Sequence, residues 1–502
     1  MLKLPKSIIK STGRAIIRDP EVKKLKKKFP ITSQFIKKRF SPDEKLGLYL
    51  TIGIIVFLFF IYFFFSIVNS LQKDKALIRA DLRIVNLFDS VRTENLNNIM
   101  LFLTYLGEGS VVILGAIFLV WILLKKWKRN YAITLIISIL FGQLFVFILK
   151  KYIHRARPSP INALISESSF SFPSGHAFIA VSFYLLLAYF CFKMSKNKLQ
   201  KFLSIIAGFM VVFGIGLSRI YLGVHWPSDV LASYTSGIAW IVVLITVLEI
   251  RGKFNSGKDN IKFKKNRNII IMIFFIIWVF YLIFYTVNHP VTKSELKFTQ
   301  IKILDRDVPE EFFKNYSRYS EDLTGTPIEP INFIFIGNRA DIEKAFYKAN
   351  WMKTDLIRLK SMIRLLVASV FNKQYDQAPG IPSFWNTRPN DFAFEQPTEI
   401  HDIVERHHIH FWRTPFLVND SEVWFSTAHF DKSSSSSKVS SAFAIHKIDP
   451  AIDKEREKIM SDLEKTGLVK EVKKHQIVEL TAGTNVAGDL FYTDGNAYIL
   501  YL

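Results

Sequence analysis

The sequence contains a single cysteine, Cys191, so one chain can form neither a disulfide framework nor a cysteine metal site. It is also short of acid. Its 43 Asp and Glu face 66 Lys and Arg, a formal net charge of +23. A cleavable signal sequence is not expected, because residues 1–45 are polar and very basic and the first apolar run begins only near Leu46. No internal repeat is visible. What the chain has in excess is apolar surface. Half of its 502 residues are hydrophobic and 46 are Phe, more than a soluble fold of this length can bury. The basic residues fall in short runs beside apolar stretches. That pattern suits anionic lipid headgroups and topology signals, and it argues against nucleic acid as a partner.

Apolar segments that approach or reach the roughly 20 residues of a membrane span cover 46–70, 108–124, 131–149, 175–192, 202–220, 230–249 and 269–287. Lys and Arg set their orientation. They crowd the N-terminal tail and recur in 125–130, 193–201 and 250–268, whereas 221–229 has none. A cytoplasmic N-terminus therefore puts 71–107, 150–174 and 221–229 on the outer face, and the seventh span exports everything after His289. Residues 291–502 change character. INFIFIG (331–337), the stretch over 409–418 and EVWFSTAHF (422–430) read as strands. Asp449 followed by Pro450 reads as a helix start, leading into an exposed amphipathic helix. Ser433–Ser437 reads as a flexible loop. The expected fold is an all-α polytopic membrane bundle, six core spans plus a seventh, followed by a soluble α+β domain. The expected divisions are a tail at 1–45, a membrane domain at 46–250, a basic loop and seventh span at 251–290, and an exported domain at 291–502.

Three clusters stand out between the third and sixth spans: Lys150 to Arg157-Pro158; Pro173-Ser174-Gly175-His176; and Ser218-Arg219 followed by His225 and Asp229. Each alone has an ordinary reading. Cations at the end of a span anchor it to headgroups, Pro and Ser open a helix, and an Asp in a first turn answers the helix dipole. The charge rule, which uses none of these motifs, nonetheless sends all three clusters to the outer face. Two helix N-termini and three cations, Lys150, Arg157 and Arg219, can then converge on one small volume. Such a nest suits a phosphate, and two histidines within it supply a nucleophile and a proton donor.

These clusters are similar to the three-part signature of the type 2 phosphatidic acid phosphatase superfamily, K-x6-R-P, P-S-G-H and S-R-x5-H-x3-D, with every specified residue present. The resemblance implies that His225 attacks phosphorus, that Asp229 holds the ring of His225, and that His176 protonates the leaving group and then activates water. It also implies that Lys150, Arg157 and Arg219 neutralise the phosphoryl oxygens, with Ser174, the Gly175 amide and Ser218 adding hydrogen bonds. No cofactor and no metal are expected, and no Asp/Glu cluster near the motifs looks able to hold Mg²⁺. Vanadium haloperoxidases share the signature. The stretch 325–351, with RHHIHFWRTPF, EVWFSTAHFD and TDGNAYILYL, resembles the LssY C-terminal domain family, which implies no established activity.

Other residues have plainer readings. His154 and Arg155 read as headgroup contacts or simply solvated side chains, and Thr104, Gly107 and Glu108 as a solvated helix end, with Glu108 the one able to line the mouth of the site. On a strand, His408 and His410 share a face with Arg406 and Trp412, close to His407. That spacing can bind zinc, but no third ligand is obvious, although His401, His429 and His446 are within reach of folding. The expected function is hydrolysis of a lipid phosphomonoester or diphosphate at the outer face of the inner membrane, on undecaprenyl diphosphate, phosphatidic acid or phosphatidylglycerol phosphate. The rivals are phosphate transfer to a lipid or sugar hydroxyl, haloperoxidase chemistry, and a binding or tethering role carried by 291–502.

Overall fold

A computed structural model describes residues 19–39, 47–125, 128–159, 163–254, 266–291, 301–303, 309–355, 382–398, 406–432, 447–484 and 490–502, together with 361, 364, 375 and 377. Two short basic helices, α1 (Pro20–Lys28) and α2 (Pro30–Arg39), precede the bundle. The bundle begins with α3 (Leu48–Lys73), whose Ile55, Phe59, Tyr62 and Phe65 are each more than half exposed. Such a surface suits a helix that faces lipid. Asp74 then breaks the helix and caps the next, accepting from the Ala76 amide at 2.8 Å. Helices α4 (Lys75–Ser90), α5 (Glu94–Leu106) and α6 (Gly109–Lys125) follow, with a 49° bend between α5 and α6 at Gly107-Glu108.

The remaining helices are α7 (Arg129–Ile153), α8 (Gly175–Met194), α9 (Lys198–Tyr221), α10 (Pro227–Phe254) and α11 (Asn266–Asn288). Among the described residues six helices are long and apolar enough to cross a membrane, or seven if the bent pair α5–α6 is one span. This is a multi-span membrane protein. The helix expected over 108–124 is α6, which begins at Gly109. The outer segment 71–107, read as connection, is two helices, and the bend falls where an isolated Glu108 interrupts the apolar run. Within α8 the backbone widens into a π-helical turn over Val181–Leu185, a feature common near functional sites. Helices α9 and α10 approach closely at Gly216, where a Cβ would lie 1.8 Å from Tyr234 Oη and 2.7 Å from Val230 Cγ1.

Beyond the bundle the chain forms mixed sheets. In chain order these elements are β1 (Ile301–Ile303), α12 (Pro309–Phe313), β2 (Tyr319–Glu321), β3 (Pro327–Pro330), β4 (Phe333–Ile336), α13 (Arg339–Lys348), β5 (Met352–Lys353), β6 (Phe384–Trp385), β7 (Arg388–Pro389) and β8 (Phe392–Pro397). They are followed by β9 (Arg406–Val418), β10 (Ser421–Lys432), β11 (Lys447–Ile448), α14 (Ile452–Glu464), β12 (Glu471–Gln476), β13 (Thr481–Thr484), β14 (Leu490–Thr493) and β15 (Asn496–Tyr501). The main sheet runs β12-β15-β4-β10-β9-β8-β5, with β1 on β9 and β11 on β10. Its centre is the long β9–β10 hairpin, closed by Asn419 and Asp420 at φ 49° and 62°. Two successive left-handed residues of these types make a tight hairpin turn.

Period-two alternation divides the sheet's two faces. Phe335, Phe394, Ile409, Phe411 and Trp424 pack under α13 and α14. Ile334, Trp412, Phe425 and Val423 pack with Trp385 of a second, four-stranded sheet, β3-β2-β6-β7. The expected helix start at Asp449-Pro450 falls slightly early. Asp449 accepts from the Ala451 amide at 2.8 Å and α14 begins at Ile452, because β11 and the turn after it occupy the residues before. Ser433–Ser437 lies outside the described residues.

Candidate active site

Five helix ends meet at one end of the bundle. Lys150 sits in the last turn of α7, which stops at Ile153 with His154 in the left-handed region (φ 50°). The chain then runs extended through Arg155 and Arg157. Ser174 caps α8 and places His176 in its first turn. Arg219 lies in the last turn of α9, and His225 lies in the short loop that enters α10, whose first turn holds Asp229. The bend between α5 and α6 contributes Thr104 and Glu108.

His225 is 1% exposed, and its two ring nitrogens face different partners. Nδ1 lies 3.4 Å from Asp229 Oδ2, long for a hydrogen bond, while Nε2 lies 3.2 Å from the Arg157 guanidinium. Burial, and then the charges of Arg219, Arg157 and Lys150, push this loop imidazole well below the ordinary histidine value, which favours the neutral ring with its Nε2 lone pair toward Arg157. Arg157 also donates to the carbonyls of Val224 and Ser169, each at 2.6 Å. Lys150 Nζ donates to Ser169 Oγ at 2.8 Å. Arg219, 1% exposed, donates to Thr104 Oγ1 at 2.8 Å and pairs with Glu167, while its Nε is buried without a hydrogen-bond partner among the described residues. His176 Nε2 faces Glu108 Oε2 at 3.2 Å.

The structure thus gathers Lys150, Arg157, His176, Arg219, His225 and Asp229 at one end of the bundle. It is less generous with the hydroxyls. Ser218 Oγ turns back on its own helix and donates to Ile215 O at 2.6 Å, and Ser174 Oγ accepts from the Ala177 amide at 3.4 Å. Gly175 opens α8 with only Val146 near its Cβ position, so its backbone can approach a ligand. The Ser174 amide and the Ser233 hydroxyl tie this turn to α10.

Three residues matter more here than their sequence reading allowed. Arg155, read as a headgroup contact, points inward. It donates to Asp229 Oδ1 and to Asp81 Oδ2 at 2.6 Å each, and to Ser228 Oγ at 2.7 Å. Glu108, read as a solvated helix end that could line the mouth of the site, is the partner of His176. Glu167 was not singled out. It pairs with Arg219 and lies 3.7 Å from Arg157, so a carboxylate faces the cations a phosphate would need. Burial would raise its pKa, but Arg219, His176 and Arg157 together bring it down to about 2. One signal was available for both acids: in an acid-poor chain the cations of these motifs have few carboxylates to pair with, so an acid that reaches them is worth noting.

The histidines of the sheet domain separate by face. His407 turns toward α14 and meets Glu455 at 2.6 Å. On the opposite face His408, His410 and His429 stack at ring distances of 5.6–6.5 Å. Carboxylates surround them. His408 lies 2.9 Å from Asp431 and 3.3 Å from Glu395, and His429 lies 3.1 Å from Glu329. Burial disfavours the His408 cation, yet Asp431 and Glu395 carry its pKa up to about 10. Among the described residues no group of three such side chains is disposed to hold a metal ion. His401 and His446 lie outside those residues.

A multi-span bundle with imidazoles and cations gathered at one end has the make-up of a phosphate-handling membrane site. Comparison with known proteins gives the family. The PAP2 superfamily profile matches residues 131–253, and the LssY C-terminus profile matches 313–497. Phosphatidylglycerophosphatase B of Bacillus subtilis (strain 168) is 36% identical over 189 residues, 36% of this chain and 88% of the relative. An undecaprenyl-diphosphatase of Sulfolobus acidocaldarius is 28% identical over 211 residues, 41% of this chain and 96% of the relative. A crystal structure of a transmembrane PAP2-type phosphatidylglycerolphosphate phosphatase from Bacillus subtilis aligns at 29% identity, over 41% of this chain and 98% of that one, with a TM-score of 0.34. The chain belongs to the PAP2 superfamily and is a phosphatase, with an LssY-type C-terminal domain.

Proposed function

We propose that the protein hydrolyses a phosphate group from a membrane lipid through a phosphohistidine on His225. The observation that carries this reading is the surroundings of His225 Nε2: a buried, neutral ring nitrogen facing Arg157, with Lys150 and Arg219 close enough to act on its charge. In the first step the Nε2 lone pair attacks phosphorus and the bond from phosphorus to the lipid oxygen breaks. His176, steadied by Glu108, gives its proton to the departing oxygen. Asp229 holds the Nδ1 proton of His225 and favours the charge that develops on the ring. In the second step a water gives a proton to His176 and attacks the phosphohistidine, the P–N bond breaks, phosphate departs, and His225 returns neutral. Lys150, Arg157 and Arg219 neutralise the phosphoryl oxygens, work that metal ions do in other phosphatases. The Gly175 amide, at a helix N-terminus, adds a donor.

We assign residues 46–250 to the catalytic domain, 251–290 to a basic cytoplasmic loop with the seventh span, and 291–502 to an accessory domain on the outer side of the inner membrane. The charge pattern of the loops supports that orientation. The substrate class is a lipid phosphomonoester or diphosphate, with phosphatidylglycerophosphate, undecaprenyl diphosphate and phosphatidic acid first in line, since two of these headgroups are named by the relatives. The test is phosphate release by the purified full chain from a panel of these lipids, with and without EDTA. Release from at least one lipid in EDTA is expected. Release that EDTA abolishes and Mg²⁺ restores, or none from any lipid, would contradict the reading.

A further inference from the structure

Helix α4 touches two things at once. One is the site: Asp81, 1% exposed, accepts from the Ser228 amide at 2.9 Å, from Ser228 Oγ at 2.5 Å and from Arg155 at 2.6 Å. Arg155 in turn holds Asp229, the partner of His225. The other is the sheet domain. Arg79 Nε donates to Thr324 O at 2.6 Å, Arg83 pairs with Glu321, and Asn86 Nδ2 donates to Thr387 O at 2.9 Å and Oγ1 at 3.2 Å. Asp81 lies between Arg79 and Arg83, so the contacts that fix the catalytic loop and those that grip the accessory domain share about two turns of one helix.

The contact on the domain side is built, not incidental. Arg83 is 2% exposed and the Glu321 side chain 15%, so the ion pair is largely shielded from water. Glu321 also accepts from the Thr387 amide at 3.3 Å, joining both gripping loops to one carboxylate. Thr387 sits at φ 69° in the turn between β6 and β7, a conformation a β-branched residue rarely adopts, and Asn86 holds it there. At Gly325 (φ 77°) a Cβ would come within 2.7 Å of the Arg83 guanidinium and 2.8 Å of Arg79 Cδ. That loop is shaped to lie against α4.

We propose that the accessory domain is a positioning element for the reaction: by clamping α4 through Glu321, Thr324 and Thr387 it fixes Asp81, and Asp81 holds Arg155 and Ser228 so that Asp229 stays on His225. This rests on the phosphatase reading for its effect on rate, but the mechanical link does not.

The test compares full-length wild type, Glu321→Gln, Asp81→Asn and the double variant. Rates are measured on phosphatidylglycerophosphate micelles, with hydrogen exchange at the Ser228 amide as a second readout. Glu321→Gln, far from the phosphate, should lower kcat about fivefold and change KM less than about twofold, with Ser228 exchange rising by a similar factor. Asp81→Asn should lower kcat further, and the double variant should match Asp81→Asn within about twofold, because residues on one path are not additive. A purely structural role would lower thermal stability and move KM with kcat. Wild-type exchange at Ser228 in Glu321→Gln, or losses that multiply in the double variant, overturns the proposal. A wild type that releases no phosphate from any lipid overturns the phosphatase reading alone, and the exchange measurement still decides the link.

Discussion

Replacing Arg155 should damage turnover far more than its reading as a headgroup contact inside the first motif suggests. Its guanidinium spans Asp81, Asp229 and Ser228 at 2.6–2.7 Å, and the two carboxylates are 1% and 0% exposed, so neither can turn to water. Removing one member of a buried pair costs about 3–5 kcal/mol when the other charge is stranded. Asp229 would keep the Trp226 amide at 3.0 Å, and Asp81 would keep the Ser228 amide and hydroxyl, which puts the loss at the lower end. A loss of about 3 kcal/mol falling wholly on the transition state is a factor of about 150 in rate. Shared between stability and rate, it predicts a drop in kcat of about 10- to 100-fold for Arg155→Met, with a lower thermal midpoint. Arg155→Lys keeps the charge but cannot fork across three acceptors, so about a tenfold loss is expected. The assay is steady-state phosphate release from a lipid phosphate, with thermal unfolding of the same preparation. An Arg155→Met variant with kcat within about threefold of wild type and an unchanged midpoint would refute the reasoning.

Glu167→Gln should lower KM about three- to tenfold, because the phosphate no longer competes with a carboxylate for Arg219 and Arg157. With its pKa held down to about 2, Glu167 is ionised throughout the working range, so the effect should be equal at acid and neutral pH; an unchanged KM would count against it. Gly216→Ala should cost about 1–3 kcal/mol of overpacking against Tyr234 and Val230, seen as a lower thermal midpoint in detergent. In the sheet domain His408 has a folded pKa of about 10, above its unfolded value near 6.5. Its contribution is therefore complete below the unfolded value and is lost as pH rises toward 10. Hydrogen exchange in β9 and β10 of the full chain, corrected for its intrinsic pH dependence, should speed up over that range. Flat protection would contradict this sign.

Much of the architecture was legible because membrane spans and half-buried strands write periodic or continuous apolar patterns. The long runs at 131–149 and 202–220 became α7 and α9 with their ends slightly extended, and 422–430 became the middle of β10. The segment 71–107 was not legible. Helix α4 is amphipathic and carries Asp81 and Arg83, and their burial depends on partners more than a hundred residues away in sequence, Ser228 and Glu321. The same limit applies at the site. Lys150, His176 and Asp229 lie at helix ends, where spacing and the charge rule locate them. Arg155 and Glu167 lie in an irregular loop, and only the folded path of that loop decides whether a charge faces water or Asp229. The Ser218 hydroxyl shows the converse: a motif position that the backbone of its own helix has already claimed.

The central claim is a covalent bond between phosphorus and His225. Rapid acid-free quenching of the full chain with a ³²P-labelled lipid phosphate should trap label that is stable to base and lost in acid, on a peptide containing His225, and His225→Ala should trap none. Label of equal yield on His225→Ala, or label that survives acid or is lost to base and hydroxylamine as from an acyl phosphate, would contradict the account.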